Sequence, residues 1–354
     1  MRPEPEPVNF CSDNTIGASP EVLAAITDAN DGAVMPYGND HYSRQAEKRV
    51  AEFFGAQADV FLLATGTAAN ALATAMLTPS YGAMYCHEEA HVYLEECGAP
   101  ELFTGGAKLM PVPGEHGRMD IDHLFAAIGH IRPGFVHIAK PAAISLTQAV
   151  ESGVVYPLAD VKRVGEFCRE KDLGFHMDGA RFANALATLG CSPAEMTWKA
   201  GVDVLSFGGT KNGCLAVDAV VLFDPARHEE LLYRRKRTGH LWSKTRFLAV
   251  QLLASIEDGR WLRWAAHANA MASRLSQGLT AISGIDLVHP VEGNEVFVAM
   301  PPAAMDALEA AGVGFNRWAL ATEPTVRFVT AFGTDSADID RVIAVAGEAM
   351  AKAA

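Results

Sequence analysis

The sequence predicts an α/β protein with a large domain on a mostly parallel sheet, followed by a smaller α+β domain. From about residue 58, short apolar runs alternate with amphipathic stretches, which is typical of parallel strands joined by helices. After Thr245 the order changes to two long helical stretches and then a mixture of strands and helices. We therefore expect a large domain over 16–244 and a small domain over 245–354, with residues 1–15 packing on either of them.

The individual elements follow from the same patterns, taken in chain order. Apolar runs of strand length predict strands at 60–64, 108–112, 135–141, 173–178, 202–207 and 217–223, and later at 285–289, 295–300 and 326–332. Apolar residues at helical spacing predict helices at 67–77, 121–129, 157–172 and 226–237, and later at 245–258, 261–282, 302–311 and 337–351.

Composition and charge argue against several classes of protein. The chain has 354 residues, enough for two domains, and no apolar run approaches the roughly 20 residues that span a bilayer. The net charge of -13 repels nucleic-acid backbones, so nucleic acid is not an expected partner. The six cysteines are scattered without a C-x-x-C pair, which argues against a zinc ribbon and favours reduced thiols. We expect a cytoplasmic protein with no metal site.

Polar clusters follow three of the predicted strands. They are TGTAAN at 65–70, DGAR at 178–181 and GGTKNG at 208–213. Ligands of open α/β sheets lie outside the carboxyl ends of the strands, so these clusters are the places to look for a site.

Asp178 and Lys211 are the residues in these clusters that carry the most chemistry. A carboxylate at the tip of a buried strand needs a cation or strong donors, and a protonated pyridine nitrogen is such a partner. A helix N-cap explains Asp178 equally well. A lysine in a glycine-rich turn can form a Schiff base, although an exposed turn lysine is the commoner case. The Lys211 turn lacks the G-x-x-x-x-G-K-[ST] spacing of a nucleotide-binding loop.

The TGTAAN turn adds a third component. Its glycine and threonines open a helix, where free N–H groups suit a phosphate, although a capped helix without a ligand is the simpler alternative. The turn lacks the G-x-G-x-x-G spacing of a dinucleotide-binding dehydrogenase. A strand-end aspartate, a later lysine and a phosphate turn together indicate pyridoxal 5'-phosphate.

Five motifs extend this interpretation to a family. ATGTAAN (64–70), EEAHVYLEECGA (88–99), HMDGAR (176–181), FGGTKNG (207–213) and VRFVTAF (326–332), in this order, resemble the L-threonine aldolase family. That family has the aspartate-aminotransferase-like fold, also called fold type I, and uses pyridoxal phosphate. The resemblance begins at FCSDN (10–14) and extends to about residue 332.

The resemblance implies a role for each matching residue. Lys211 would carry the cofactor and Asp178 would meet its pyridine nitrogen. The phosphate would lie at Gly66 and Thr67. His91 would stack on the cofactor ring and take part in proton transfer. Ser12, Arg181 and Arg327 would bind the substrate carboxylate, and Arg181 would also contact the cofactor. The family forms homodimers or homotetramers, in which Tyr37 would contribute to the site of a neighbouring subunit.

The chain departs from the family pattern at two points. The family often carries E-N-T-H-N after its fourth strand, with a second histidine, whereas this chain has LTQAVESG at 146–153. Ser243 stands where a phosphate-contacting arginine is expected, which leaves Arg237 and Lys244 as candidates for that contact. Without the second histidine, His91, directly or through a water, is the first candidate for the base, and the change suggests room for bulkier substrates such as phenylserine.

The expected function is the cleavage of L-threonine, L-allo-threonine or related β-hydroxy-α-amino acids to glycine and an aldehyde. The alternatives are other reactions of the same fold, namely β-elimination, transamination and hydroxymethyl transfer. A non-catalytic protein that binds pyridoxal phosphate is the remaining class.

Overall fold

The computed structural model describes residues 7–318 and 323–353. Its strands are β1 (Val8–Asn9), β2 (Asp59–Leu63), β3 (Gly82–His87), β4 (Lys108–Val112), β5 (Lys140–Thr147), β6 (Gly174–Gly179), β7 (Val204–Gly208), β8 (Asp218–Leu222), β9 (Asp286–Leu287), β10 (Glu295–Ala299), β11 (Val313–Gly314), β12 (Asn316–Arg317) and β13 (Thr325–Val329).

The helices account for most of the remaining chain. They are α1 (Pro20–Asp28), α2 (His41–Phe54), α3 (Gly66–Leu77), α4 (His91–Leu94), α5 (Ala99–Thr104), α6 (Ile121–Gly129), α7 (Leu158–Lys171), α8 (Phe182–Leu189), α9 (Pro193–Met196), α10 (His228–Arg237), α11 (Arg246–Ile256), α12 (Arg260–Thr280), α13 (Pro302–Ala310) and α14 (Ser336–Ala353). Short 3-10 turns lie between some of them. Among the described residues, none of the helices combines the length and apolarity that a bilayer crossing requires.

A seven-stranded sheet organises the larger part of the chain. Its strand order is β2-β8-β7-β6-β5-β3-β4, and only β8 runs antiparallel to its neighbours. The α/β prediction with a mostly parallel sheet is therefore confirmed. A four-stranded antiparallel sheet of order β12-β13-β10-β9 lies in the last third of the chain.

Two strands of the large sheet differ from the sequence prediction. The strand expected at 135–141 is wrong, because β5 spans Lys140–Thr147 and the side chain of Val136 is 86% exposed. The apolar letters before Lys140 lie in a surface segment. Strand β3 was not predicted, because its sequence GAMYCH mixes small and polar residues although each of them is buried.

Two clusters of buried side chains indicate where one domain gives way to the next. The larger cluster extends through α11 and the first part of α12, as far as Ala265. The second begins at Ala272 and includes Phe10, which follows the pairing of β1 with β11. We propose that the boundary lies within α12, between these two alanines, rather than at residue 244. The N-terminal segment, as far as it is described, packs with the second cluster, and residues 1–6 lie outside the described residues.

The sheet brings the three polar clusters to one edge. Asp178 is the fifth residue of β6 and pairs with Thr147 at the end of β5. Helix α3 begins at Gly66, shortly after β2 ends, and the Thr65 side chain caps it by accepting the Ala68 N–H. The Lys211 loop joins β7 to the antiparallel β8, so it also lies at this edge.

Gly165 provides a test of the packing of α7 against the chain beside it. A Cβ at this position would lie 1.8 Å from the carbonyl oxygen of Ala200, whereas a Cβ at Gly129 in α6 would meet nothing within 4 Å. We expect Gly165→Ala to lower the free energy of unfolding by about 1–3 kcal/mol because the backbone must shift. Gly129→Ala is the matched control and should change it by less than about 0.5 kcal/mol. Urea denaturation measures both, and equal effects would contradict this packing.

Candidate active site

A cavity of about 300 Å³ lies at the carboxyl edge of the large sheet. Its wall contains six of the residues expected from the sequence, namely Gly66, Thr67, His91, Asp178, Arg181 and Lys211. A second cavity shares His91, Arg181 and Lys211 and adds Ser12 and Arg327. The structure thus brings these eight residues into two adjoining spaces.

Asp178 is held by neutral donors at the floor of the first cavity. Only 2% of the residue is exposed. One carboxylate oxygen accepts the side-chain N–H of Asn70 at 2.8 Å, and the other accepts the backbone N–H of Ala180 at 3.0 Å. Neither donor is a cation, so the carboxylate keeps its negative charge available to a positively charged ligand atom.

His91 lies close to Asp178 and is oriented by Glu96. Its Nδ1 lies 2.9 Å from Oε1 of Glu96, which also accepts an Asn70 N–H at 2.7 Å. This hydrogen bond raises the pKa of His91, although burial opposes it, and Asp178 adds to the rise. Burial raises the pKa of Glu96 in turn. One asparagine therefore links the histidine's partner to the carboxylate on the cavity floor.

The Lys211 loop is fixed by Asp218 at the start of β8. Oδ1 of Asp218 accepts the N–H of Gly209 at 2.9 Å, and its Oδ2 accepts the hydroxyl of Thr210 at 3.3 Å. Burial raises the pKa of Asp218. Gly213 closes the loop at φ +87°, where a Cβ would lie 2.7 Å from the ring of Trp264. The loop backbone is therefore set before any ligand binds.

The start of α3 offers donors to an anion. The Thr65 side chain accepts the Ala68 N–H at 3.2 Å. The amides of Gly66 and Thr67 have no acceptor within the helix, because they lie in its first turn. Helix dipole and free amides together suit a phosphate group.

The expected substrate arginines already have acidic partners. Arg181 donates to both oxygens of Asp13, at 2.8 and 3.1 Å, and its Nη1 lies 3.4 Å from Glu295. Arg327 lies 3.8 Å from the other Glu295 oxygen and 5.1 Å over the ring of Trp318. These contacts fix the direction of each guanidinium group.

Burial affects the two acids in this cluster differently. It acts to raise the pKa of Asp13, but the charges of Arg181 and Lys211 outweigh it and the pKa is lowered. It raises the pKa of Glu295, and the two arginines only partly offset this. Neither oxygen of Glu295 forms a hydrogen bond with the described residues.

Three residues considered from the sequence lie away from both cavities. Tyr37 is 46% exposed, its N–H donates to the carbonyl of Ser243, and Lys236 lies 5.0 Å over its ring. Lys244 lines a separate surface groove with residues 32–36, and Arg237 lines neither cavity. A contact between the cofactor phosphate and Arg237 or Lys244 therefore stays a prediction.

Sequence reasoning missed several acidic and amide residues of the site. They are Asp13, Asn70, Glu96, Glu151, Asp218 and Glu295. Asn70 ends the TGTAAN motif and Asp13 lies in FCSDN, so the motifs contained a signal for these two. Glu295 begins a strand whose other residues, VFVA, are apolar. A charged residue in such a strand is the signal that was overlooked.

The chain is similar to known proteins over nearly its whole length. Residues 9–302 match the beta-eliminating lyase family. The low-specificity L-threonine aldolase of Pseudomonas aeruginosa is 43% identical over 335 residues, which cover 94% of each protein. The enzyme of the same name from another Pseudomonas strain is 41% identical, with 95% of this chain and 96% of that protein covered.

A solved structure extends the comparison to the fold. The threonine aldolase of Leishmania major superposes with a TM-score of 0.91 at 24% identity, over 97% of this chain and 100% of that chain. The predicted aspartate-aminotransferase-like fold, fold type I, is confirmed.

His176 gives a pH test of the buried layer below the cavity. Its ring nitrogens lie 2.9 Å from the hydroxyls of Ser145 and Ser206, and burial lowers its pKa to about 4 from 6.5. Because the unfolded chain binds a proton that the folded chain rejects, stability should fall as pH drops from 6.5 towards 4, by about 3 kcal/mol in all.

The measurement is urea denaturation at several pH values. We expect His176→Gln to reduce this acid-dependent loss, whereas His123→Gln at an exposed position should leave it unchanged. Equal slopes for the wild type and His176→Gln would refute the assignment.

Proposed function

Because the chain belongs to the low-specificity L-threonine aldolase family, we propose that it is a pyridoxal-phosphate-dependent lyase that cleaves β-hydroxy-α-amino acids to glycine and an aldehyde. The substrates we propose are L-threonine, L-allo-threonine and phenylserine. The observation that carries the proposal is that Lys211, Asp178 and His91 line one cavity.

The residues of this cavity fit the cofactor. A buried carboxylate with only neutral donors suits the protonated pyridine nitrogen, the first amides of α3 suit the phosphate, and the Lys211 amine suits the aldehyde carbon. When bound, pyridoxal phosphate supplies an electron sink for the bond that breaks. Arg237 and Lys244 are the candidates for a basic contact to the phosphate.

The adjoining cavity suits the amino acid's carboxylate. Arg327 and Arg181 present guanidinium groups there, and the Ser12 hydroxyl lies beside them. Asp13 holds Arg181, and Glu295 lies beside Arg327. Because the two arginines are fixed in this way, they bind the carboxylate in one position and so determine which bond at Cα faces the cofactor.

His91 fits a role in positioning the cofactor and the substrate hydroxyl better than a role as the catalytic base. The hydrogen bond from Nδ1 to Glu96 raises its pKa, so the imidazole keeps a proton further into the neutral range. We propose that its face stacks on the cofactor ring and that its Nε2 holds a proton beside the substrate hydroxyl.

Exposed apolar side chains support an assembly with shared sites. Met35 and Tyr37 lie on one segment, and Tyr233 and Trp242 lie in and beyond α10, with exposures of 65%, 46%, 71% and 42%. The backbone N–H of Tyr37 donates to the carbonyl of Ser243, next to Trp242, so the two segments adjoin, and adjoining exposed apolar side chains are common at protein interfaces. We propose a homodimer or homotetramer in which Tyr37 reaches the neighbouring subunit's cavity, and a cytoplasmic location, which the six free cysteines support.

Product analysis of the holoenzyme tests the reaction. We expect L-threonine to give glycine and acetaldehyde, and phenylserine to give glycine and benzaldehyde. Lys211→Ala should abolish cleavage and the yellow colour of the lysine-bound cofactor, because no other side chain replaces that amine. Asp178→Asn should reduce cleavage by at least about 10²-fold, since it removes the charge beside the ring nitrogen. Pyruvate and ammonia as products would indicate elimination and contradict the proposal.

Mixing two inactive variants tests the shared site. If Tyr37 acts in the partner's cavity, Tyr37→Ala and Lys211→Ala should each be impaired, and subunits mixed after mild dissociation should recover activity. The recovery arises because one hybrid site contains both native residues. Mixing Lys211→Ala with Asp178→Asn is the control, since both changes fall in one subunit's cavity and no intact site forms. A mixture of the first pair that stays inactive would contradict the contribution of Tyr37.

A further inference from the structure

The segment after β5, where the chain departs from the family pattern, contains an acid that the proposed reaction does not yet use. Glu151 follows Thr147, the last residue of β5, and both side chains line the first cavity. Glu151 also lines the second cavity, so it stands where the cofactor space and the substrate space meet.

The two oxygens of the Glu151 carboxylate differ. Oε1 accepts the backbone N–H of His91 at 2.7 Å and lies 3.5 Å from the hydroxyl of Thr147. Oε2 is buried and has no hydrogen-bond partner among the described residues. A buried acceptor without a hydrogen bond lowers the stability of the fold, and a ligand hydroxyl that donates a hydrogen bond to Oε2 would remove this cost.

The surroundings make this carboxylate unusually basic. Burial raises the pKa of Glu151 to about 7, and the negative charge of Asp178 contributes to the rise. The hydrogen bond from His91 and the charge of that residue act in the opposite direction. The charged and titratable groups that interact with it are Asp178, His91, Arg181, Cys86 and Tyr156. A base whose pKa lies near neutrality is well matched to proton transfer at that pH.

We infer that Glu151 is the catalytic base that takes the β-hydroxyl proton of the substrate, in place of the histidine that this segment carries in the family pattern. This inference rests on the proposed function. Oε2 accepts the proton, and the electron pair of the O–H bond becomes the second carbon–oxygen bond of the aldehyde. The Cα–Cβ bond breaks, its electron pair stays with Cα, and Cα then takes up one proton to give glycine. In net terms one proton moves from oxygen to carbon.

Glu151→Gln separates this role from a structural one. The amide oxygen can still accept the His91 N–H, but the side chain no longer takes a proton. Two rates are measured on the holoenzyme, namely cleavage of L-threonine and exchange of the glycine α-proton with solvent deuterium. Exchange requires the cofactor and the carboxylate grip but involves no β-hydroxyl.

The wild type should show kcat/KM for cleavage rising with pH through about 7, because only the ionised carboxylate is a base. In Glu151→Gln we expect cleavage to fall by about 10²–10⁴-fold and the rise near neutrality to disappear. Glycine exchange should stay within a few-fold of the wild type.

Glu292→Gln is the matched control. Glu292 likewise accepts a backbone N–H, from Val155 at 2.7 Å, but it lines neither cavity. Both rates should therefore be unchanged in this variant.

Two results would overturn the assignment of Glu151 and leave the proposed function intact. Glu151→Gln that cleaves with the wild-type rate and pH profile would exclude it as the base. Cleavage and exchange that fall together would show that Glu151 only positions its surroundings. A wild type that exchanges glycine protons but cleaves no β-hydroxy amino acid would refute the proposed function, and the role of Glu151 with it.

Discussion

The site depends on a carboxylate that is buried without an ion-pair partner among the described residues. Asp178 stands at the end of a central strand, and its donors are the amide of Asn70 and a backbone N–H. Neutral donors offset part of the cost of burying a carboxylate and leave its charge in place. A protein that keeps such a charge in its core gains from a ligand that carries the opposite one. The parallel sheet then determines what else can lie near it, because the neighbouring strands end at the same edge.

The acids around the arginines can also be explained by the cost of burying charge. Arg181, Arg327 and Lys211 would repel one another in a space with little water. Asp13 and Glu295 reduce that repulsion and also hold the guanidinium groups in one orientation. A substrate carboxylate that binds there, as we propose, enters a cluster that is already partly neutralised. Binding by these arginines therefore supplies orientation and selectivity more than raw attraction.

The sequence predicted the large-scale fold well and the polar interior poorly. Helices α6 and α7 have clear apolar periodicity and α3 is apolar on nearly all sides, and the structure has all three within a residue or two of the predicted bounds. Strand β3 and the start of β5 were misjudged because burial there depends on neighbouring strands, which a local pattern does not contain. Lys211 and Asp178 could be named because glycine-rich turns and strand ends have local signatures. Glu96 and Glu151 acquire their contacts only in the folded chain, so no spacing along the sequence distinguishes them from surface acids, whereas the apolar strand around Glu295 was a usable signal.

The N-terminal strand joins the two halves of the molecule. Val8 and Asn9 pair with β11, beside the small antiparallel sheet, while Asp13, a few residues later, is bonded to Arg181 at the start of α8. A short stretch of backbone thus delivers the arginine's counter-ion from one core to the other. The residues from Val8 to Asp13 therefore bear on the orientation of Arg181, which we propose as a ligand of the substrate carboxylate. A change that displaced Asp13 would take from Arg181 the carboxylate to which it donates two hydrogen bonds, although Asp13 is no part of the central sheet.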